Sequence, residues 1–249
     1  MKTLKLILSV TVLMTILSCK KPIVIVDPWP DGQVKCKVTL VEHFYSENNK
    51  IVTDKYYYIY DSDHRITRID YGKQQSNEFE TFTYSAGKVN WKGVNGDIEQ
   101  YNLDVNGRIT SVTQGNEPLN FKYNMDGQLI EVGIGEDRQS IQYQTGNLTS
   151  SDYNGKPWIS MSYGNVETNN QVVYGWVFGE VIDFDEIGYR VTPFIGKLSK
   201  NLPSTIIYEP GSGQTVYNLT YTYDSGKIKS VTSAFGGNTS EYKFTYECK

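Results

Sequence analysis

Residues that commonly carry enzyme chemistry are scarce in this chain of 249 residues. It has two histidines, His43 and His64, and three cysteines, and none of them falls in a spacing typical of a zinc site. No nucleophile elbow, phosphate-binding loop or dinucleotide fingerprint occurs. The sequence therefore predicts no metal, no cofactor and no catalytic residue, and we expect that the protein is not an enzyme.

Positive charge is also in short supply. Lysine and arginine number 24 against 28 acidic residues, which leaves a net charge of -4 at pH 7. Binding to nucleic acid requires a basic face, and no lysine or arginine run provides one. We expect no nucleic-acid partner.

Long apolar runs are absent except at the start of the chain. Residues 6–17 are apolar apart from one serine and two threonines, and Lys2 and Lys5 precede them. A stretch of this length is too short to span a bilayer but is typical of a secretory signal. Residues 1–18 are therefore predicted to be a signal peptide.

The end of this segment predicts how the protein is attached to a membrane. Residues 16–19 read Ile-Leu-Ser-Cys and resemble the lipobox of bacterial lipoproteins. The resemblance implies cleavage before Cys19 and attachment of acyl chains, palmitate among them, to that cysteine, which would hold the protein on a membrane. The alternative is an ordinary signal peptide followed by an incidental cysteine.

The rest of the chain divides into a linker and one domain. Residues 19–33 hold the lipidated cysteine and three prolines, a composition typical of an extended spacer. Residues 34–249 are enough for a single all-β domain with a full core.

A repeat of about 20 residues dominates this domain. The pattern is two aromatic residues two positions apart, with Leu103 and Ile141 as exceptions, and then a turn with Asp, Asn or Gly. Two aliphatic residues three positions apart follow the turn in four of the six copies. The copies begin at Tyr58, Phe82, Tyr101, Phe121, Ile141 and Tyr221. Twenty residues suffice for two strands and two tight turns, so each copy predicts one β-hairpin. Asn106-Gly107 and Asp126-Gly127 favour type I′ turns.

The aliphatic pairs raise a question about strand geometry. Ile109 and Val112, like Leu129 and Val132, are three residues apart, so strict alternation would place them on opposite faces. Either each hairpin contains a β-bulge, or both faces of the sheet are partly covered.

The number of copies predicts the fold class. We expect an all-β, antiparallel meander of about 14–16 strands curled into a barrel-like or nearly closed sheet, because a flat sheet would leave two open edges. An outer-membrane barrel is the competing interpretation. It requires an apolar lipid-facing row, whereas the alternate positions here hold Thr, Lys, Asp, Glu and Asn.

Two cysteines offer a test of closure. Cys36 lies in the first predicted strand and Cys248 in the last, so closure of the sheet would bring them within reach of a disulfide. The alternative is two buried, unpaired thiols.

The repeat lapses between residues 163 and 223. Thr192 as N-cap and Pro193 at the first helical position predict one short helix near residues 193–200, with Phe194, Ile195 and Leu198 as its apolar stripe. Because so short a helix is unstable alone, we expect it to dock across an open end of the curled sheet as a plug.

Candidate ligand-binding residues lie just before this helix. Aromatic and carboxylate side chains are densest there, at Trp176, Phe178, Asp183, Asp185, Glu186 and Tyr189. The carboxylates could form a calcium cluster or an acid–base pair, or simply a solvated loop before a helix. Trp91 and Trp158 are the other aromatic residues outside the repeat positions that could stack on sugars.

The repeat resembles the YD repeats of large bacterial shell-forming proteins, most closely at residues 101–112 and 221–231. With the lipobox and linker, the chain resembles a family of uncharacterised Gram-negative lipoproteins described as having a porin-like fold. The resemblance implies that fold and no particular activity.

The sequence leaves three functional interpretations. The first is a non-enzymatic envelope protein that binds a polysaccharide or an envelope protein through one end of the sheet. The second is a hydrolase using Asp183, Asp185 or Glu186, and the third is a structural scaffold. We expect an outer-membrane location facing the periplasm, with surface exposure as the alternative, because Lys20 and Lys21 do not form an acidic export signal.

Overall fold

The computed structural model describes residues 36–47, 50–114, 117–167, 171–178, 188–208 and 213–248. These residues form sixteen antiparallel strands in which each strand pairs with the next and the last pairs with the first, so the sheet is a closed barrel. The predicted all-β meander is confirmed. The first eight strands are β1 (Cys36–Glu47), β2 (Lys50–Tyr60), β3 (Ile66–Tyr71), β4 (Phe79–Ser85), β5 (Lys88–Lys92), β6 (Ile98–Leu103), β7 (Ile109–Gln114) and β8 (Glu117–Tyr123). The others are β9 (Leu129–Ile134), β10 (Asp137–Gln144), β11 (Asn147–Tyr153), β12 (Lys156–Glu167), β13 (Asn201–Tyr208), β14 (Thr215–Asp224), β15 (Lys227–Phe235) and β16 (Asn238–Cys248).

The barrel closes where its first and last strands meet. Cys36 is the register partner of Cys248, and their Cα atoms are 4.0 Å apart. Their sulfur atoms are joined in a disulfide that links residues 212 positions apart. Closure removes both exposed edges of the meander, which is why a sheet of this size is stable without a second layer.

The two ends of the barrel differ. At one end, named the base, β1 begins, β16 ends and the long connection from β12 to β13 starts and returns. At the other end, named the mouth, β11 joins β12, β13 joins β14 and β15 joins β16. Helical segments occur only in the β12–β13 connection, as far as the described residues show.

The inner and outer faces of the wall have opposite character. In β5, Val89 and Trp91 are buried, whereas Lys88, Asn90 and Lys92 are exposed. In the other strands this alternation is interrupted at β-bulges, and a few polar residues such as Glu80 and Glu99 are buried. The apolar core nevertheless lies inside the barrel, and most polar residues lie outside.

A β-bulge explains the three-residue spacing of the aliphatic pairs. Ile109 lies opposite Leu103 and Ser111 lies opposite Asn102, so Thr110 is an extra residue in β7. The shift turns both Ile109 and Val112 toward the core, where neither is exposed. Of the two alternatives that the sequence leaves open, the bulge is the one found.

The repeated tyrosines bind the backbone at these bulges. Each of six bulges interrupts the backbone hydrogen-bond ladder between two strands and leaves one carbonyl without a ladder partner. This carbonyl belongs to the residue just before the extra residue. It accepts a hydrogen bond from a tyrosine hydroxyl instead. The donor and acceptor pairs are Tyr60 with Val38, Tyr84 with Ile66, Tyr123 with Ile109, Tyr163 with Leu148, Tyr221 with Pro203, and Tyr246 with Ile228. Burial raises the pKa of Tyr60, Tyr84, Tyr123, Tyr221 and Tyr246, so these hydroxyls remain protonated donors.

Removing one of these hydroxyls is expected to destabilise the barrel. Tyr221 donates to the Pro203 carbonyl at 2.6 Å, so Tyr221→Phe leaves that carbonyl unsatisfied and should lower the free energy of unfolding by about 1–2 kcal/mol. Tyr223 lies two residues away on the same strand and is 51% exposed, so Tyr223→Phe should change stability little. Urea unfolding of both variants measures the difference, and equal effects would contradict the role given to the hydroxyl.

The predicted type I′ turns at Asn106-Gly107 and Asp126-Gly127 are wrong. The turn runs from Asp104 to Gly107, whose N–H donates to the Asp104 carbonyl at 3.0 Å, and only the glycine has a positive φ, 76°. The Asp104 carboxylate accepts hydrogen bonds from the N–H groups of Asn106 and Arg108. These bonds favour the longer connection between β6 and β7 over a two-residue hairpin loop. Two consecutive positive φ angles, as type I′ requires, occur instead at residues 145–146, 154–155, 225–226 and 236–237.

The described residues of the β12–β13 connection, 171–178 and 188–200, pack into the barrel and are named the plug. It contains α1 (Gln171–Phe178), α2 (Gly188–Val191) and a 3-10 helix (Thr192–Phe194). The described part of the chain has no helix long and apolar enough to cross a membrane.

The single helix predicted near residues 193–200 is wrong in its bounds. Helical structure begins before Pro193, with α2, and ends at Phe194 with the 3-10 helix. Thr192 is the first residue of the 3-10 helix and does not cap it. Gly196 has a φ of 79°, and a Cβ there would lie 2.5 Å from the Gly127 carbonyl oxygen, so only glycine fits this close approach. Beyond it, the chain follows the turns of the base.

Candidate functional site

Of the six candidate ligand-binding residues before the predicted helix, Trp176 is the one whose side chain the structure describes. It lies on α1 inside the barrel, where its indole N–H donates to the Tyr58 hydroxyl at 3.0 Å. Its ring packs on Tyr56 and Tyr242, with centroids 4.5 and 5.3 Å apart. Trp176 therefore fastens the plug to β2 and β16.

The side chains of the other five of these candidates lie outside the described part of the chain. Asp183, Asp185 and Glu186 belong to residues 179–187, and the side chains of Phe178 and Tyr189 are likewise outside it. Cys19 and the linker to residue 33 precede the first described residue.

Arg190 fastens the plug to strands β5 and β6. Its guanidinium lies over the Trp91 ring, 4.2 Å from the centroid, and Nη1 is 3.4 Å from Oε1 of Glu99. Burial raises the pKa of Glu99, and the charge of Arg190 opposes part of that shift. This ion pair joins α2 of the plug to β6, and removing Arg190 would leave the buried Glu99 carboxylate without its charged partner.

Glu80 and Glu99 form a buried acidic wall near the mouth. Glu80 is 4% exposed and accepts hydrogen bonds from the Tyr71 hydroxyl at 2.6 Å and the Trp91 indole N–H at 3.1 Å. Glu99 is 7% exposed and accepts one from the Tyr101 hydroxyl at 3.0 Å. Donors fixed by aromatic side chains therefore hold both carboxylates inside the apolar wall.

Helix α1 and the 3-10 helix of the plug pack against strands β2 to β4. Phe194 is 1% exposed and packs against Tyr84 and Tyr101. The cavity left beside it, lined by Phe82 and Trp176 among others, measures about 20 Å³. That is room for about one water molecule, so this part of the interior is closed to larger solutes.

Five aromatic side chains form a continuous row at the mouth, named the aromatic rim. Neighbouring ring centroids along the row are 6.3, 6.4, 5.5 and 5.0 Å apart. The row runs from β11 to β15 through Tyr153, Trp158, Tyr208, Tyr217 and Phe235.

The register places the aromatic rim on the inner face of the wall. Tyr217 lies directly opposite the core residue Ile206, and Tyr208 follows Ile206 by two residues. At the two ends of the row, Tyr153 is 38% exposed and Phe235 is 40% exposed. The rim thus presents ring surface to solvent at the open end of the barrel.

A histidine and a serine lie on the neighbouring strands. His43 on β1 has Nε2 2.7 Å from Oγ of Ser240 on β16, and its ring stacks on Tyr242 with centroids 4.3 Å apart. Burial lowers the pKa of His43, although the cross-strand Asp54 opposes the shift, so the imidazole is neutral at pH 7. A neutral imidazole can accept the serine proton.

Sequence reasoning missed most of the aromatic rim. Of its five residues only Trp158 was a candidate, because the others were not distinguished from the packing tyrosines of the repeat. A usable signal exists, since Tyr153 and Phe235 each stand directly before a turn of the mouth, at Asn154-Gly155 and Gly236-Gly237.

Comparison with known proteins supports the fold. No family model matches the chain, and no curated protein matches it. Among solved structures, it is similar to a porin-like protein from Bacteroides uniformis, with a TM-score of 0.61, 15% identity, and coverage of 84% of this chain and 98% of that one. A porin-like protein from Bacteroides vulgatus gives a TM-score of 0.58, 12% identity and the same coverage. The chain therefore shares its barrel fold with porin-like proteins from Bacteroides.

Proposed function

We propose that this chain is a non-enzymatic, lipid-anchored protein of the Gram-negative cell envelope that binds a polysaccharide at the mouth of its barrel. The aromatic rim is the observation that carries the proposal. Sugar rings present flat C–H faces that pack on aromatic rings, and binding sites combine such apolar surface with a few fixed polar groups. The aromatic rim and the neighbouring His43 and Ser240 are such a combination.

The plug inside the barrel favours binding over transport. Trp176, Arg190 and Phe194 attach the plug to separate parts of the wall, and the cavity of about 20 Å³ beside it admits about one water molecule. On the side of β2 to β6, a solute that enters the mouth therefore meets the packed plug. This supports a receptor surface at the mouth.

The outer face of the wall supports a position beside the membrane. Charged pairs lie on it, such as Lys55 with Glu42 at 2.7 Å and Lys122 with Glu131 at 2.7 Å. Lipid-facing strands carry the opposite pattern, with apolar residues outside. The proposed acyl chains on Cys19 would then provide the attachment, most simply to the outer membrane on its periplasmic side.

Glycan binding by rim variants tests the proposal. The mature protein is applied to an array of bacterial and host polysaccharides, and Tyr153→Ala and Phe235→Ala are expected to weaken binding about tenfold each. Tyr223→Ala is the matched control, because Tyr223 is also exposed but lies at the base. Absence of glycan binding, or equal loss in all three variants, would refute the assignment.

A second function has one observation in its favour. The short contact between His43 Nε2 and Ser240 Oγ is the arrangement in which a histidine activates a serine for acyl transfer. An esterase acting on acylated glycans would lose turnover in Ser240→Ala while retaining binding at the aromatic rim. Unchanged release of acid from acetylated polysaccharide in that variant would eliminate this function.

A further inference from the structure

Two turns at the base present apolar side chains to solvent. Val105 is 92% exposed at the tip of the β6–β7 turn, and Met125 is 106% exposed at the tip of the β8–β9 turn. The two tips occupy the same position in successive repeats, about 10 Å apart by the usual spacing of strands. Neither side chain contributes to the core of the barrel.

Two lysines accompany these tips. The N–H of Lys197 donates to the Gly127 carbonyl at 2.9 Å, and the N–H of Lys200 donates to the Gly146 carbonyl at 2.9 Å, which fixes this stretch of the plug against the turns of the base. Both lysine side chains are exposed. Nearby Asp104 is paired with Arg108, whereas Asp126 is exposed beside Met125.

The chain also enters the barrel at this end. Cys36 begins β1 at the base, so residues 20–35 connect the base, and not the mouth, to Cys19. A tether of this length reaches about 60 Å at most. It would hold the base at a high local concentration near any bilayer in which Cys19 is anchored, so even a weak surface contact becomes populated.

We infer that the base of the barrel is a membrane-docking surface, on which Val105 and Met125 enter the headgroup region of the bilayer and Lys197 and Lys200 bind anionic lipid. Exposed apolar tips flanked by lysines are the pattern of interfacial binding. The inference rests on the proposed lipid anchor and deepens the proposed function, because it orients the aromatic rim away from the membrane. The mouth then faces the compartment from which a polysaccharide approaches.

Depth-dependent quenching tests this orientation. The full lipidated protein is placed in vesicles of phosphatidylethanolamine and phosphatidylglycerol that carry a headgroup nitroxide. An environment-sensitive fluorophore is attached, under non-reducing conditions that preserve the Cys36–Cys248 disulfide, to Val105→Cys or Met125→Cys. The matched controls are Ile51→Cys and Ile98→Cys, since these residues are 81% and 71% exposed at the mouth.

The expected result is strong quenching and a blue shift at positions 105 and 125, with neither at positions 51 and 98. Combining Lys197→Glu with Lys200→Glu should reduce the quenching at both base positions. Two results would refute the docking surface while leaving the lipid anchor intact. One is stronger quenching at the mouth positions than at the base positions. The other is no quenching at any position on protein that floats together with the vesicles. Protein that does not float with the vesicles would instead refute the anchor of the proposed function, and the docking surface with it.

Discussion

Replacing both Cys36 and Cys248 with serine is expected to lower the free energy of unfolding by up to about 5 kcal/mol. The disulfide closes a loop of 212 residues, and the loss of unfolded-chain entropy from so long a link is near the largest that one disulfide provides. The value is an upper figure, because residual structure in the unfolded chain reduces it. Chemical unfolding of the oxidised protein and the double variant measures the difference.

The location of the disulfide sharpens this prediction. It joins the only two strands whose pairing depends on contacts between the ends of the described chain, β1 and β16. Amide exchange in the double variant should therefore accelerate first in these strands and later in β7 to β9 on the far side. Uniform acceleration around the barrel, or unchanged stability, would contradict a specific role for the link in closure.

Truncating the plug at Phe194 is expected to cost about 3–5 kcal/mol. Phe194 is 1% exposed, and its ring packs between Tyr84 and Tyr101, so Phe194→Ala removes an anchor and leaves a cavity in the closed interior. Thermal and urea unfolding measure the loss.

Leu198 provides the matched control on the same segment. It is only half-buried, because the helix stops at Phe194 and the chain turns at Gly196 toward the base. Leu198→Ala should therefore cost clearly less than Phe194→Ala. If Leu198→Ala costs as much as Phe194→Ala or more, the plug is held mainly by the residues that follow Gly196 along the base, and not by the Phe194 ring inside the barrel.

Much of the wall could be predicted because its information is local. The period of 20 residues, the aromatic pair and the turn residues specify a hairpin within each copy, and a meander follows from joining hairpins of the same kind. The three-residue spacing of Ile109 and Val112 already indicated a β-bulge as one of two alternatives. Only the register with Leu103 and Asn102 on the neighbouring strand decided between them.

The turns and the plug were harder to predict from the sequence, because contacts outside the local pattern set their structure. The Asn106-Gly107 pair favours a two-residue turn, but the Asp104 carboxylate binds the backbone N–H groups of Asn106 and Arg108 and sets a longer loop. In the plug, local signals at Thr192 and Pro193 indicated a helix, whereas its end was set by the Gly127 carbonyl, which is distant in sequence. Tertiary contact overrode helix propensity there.

The sequence by itself determined the strand meander, because alternation and turn chemistry act over a few residues. It also predicted that closure would bring Cys36 within reach of Cys248, because these cysteines lie in the first and last strands, but the register of β1 with β16 decided that they pair. Only the tertiary structure decided that five aromatic residues from β11 to β15 meet in one rim, and that Arg190 of the plug reaches Glu99 of β6. These contacts depend on barrel curvature and on the path of the plug, which are properties of the closed sheet as a whole and leave no periodic trace in the chain.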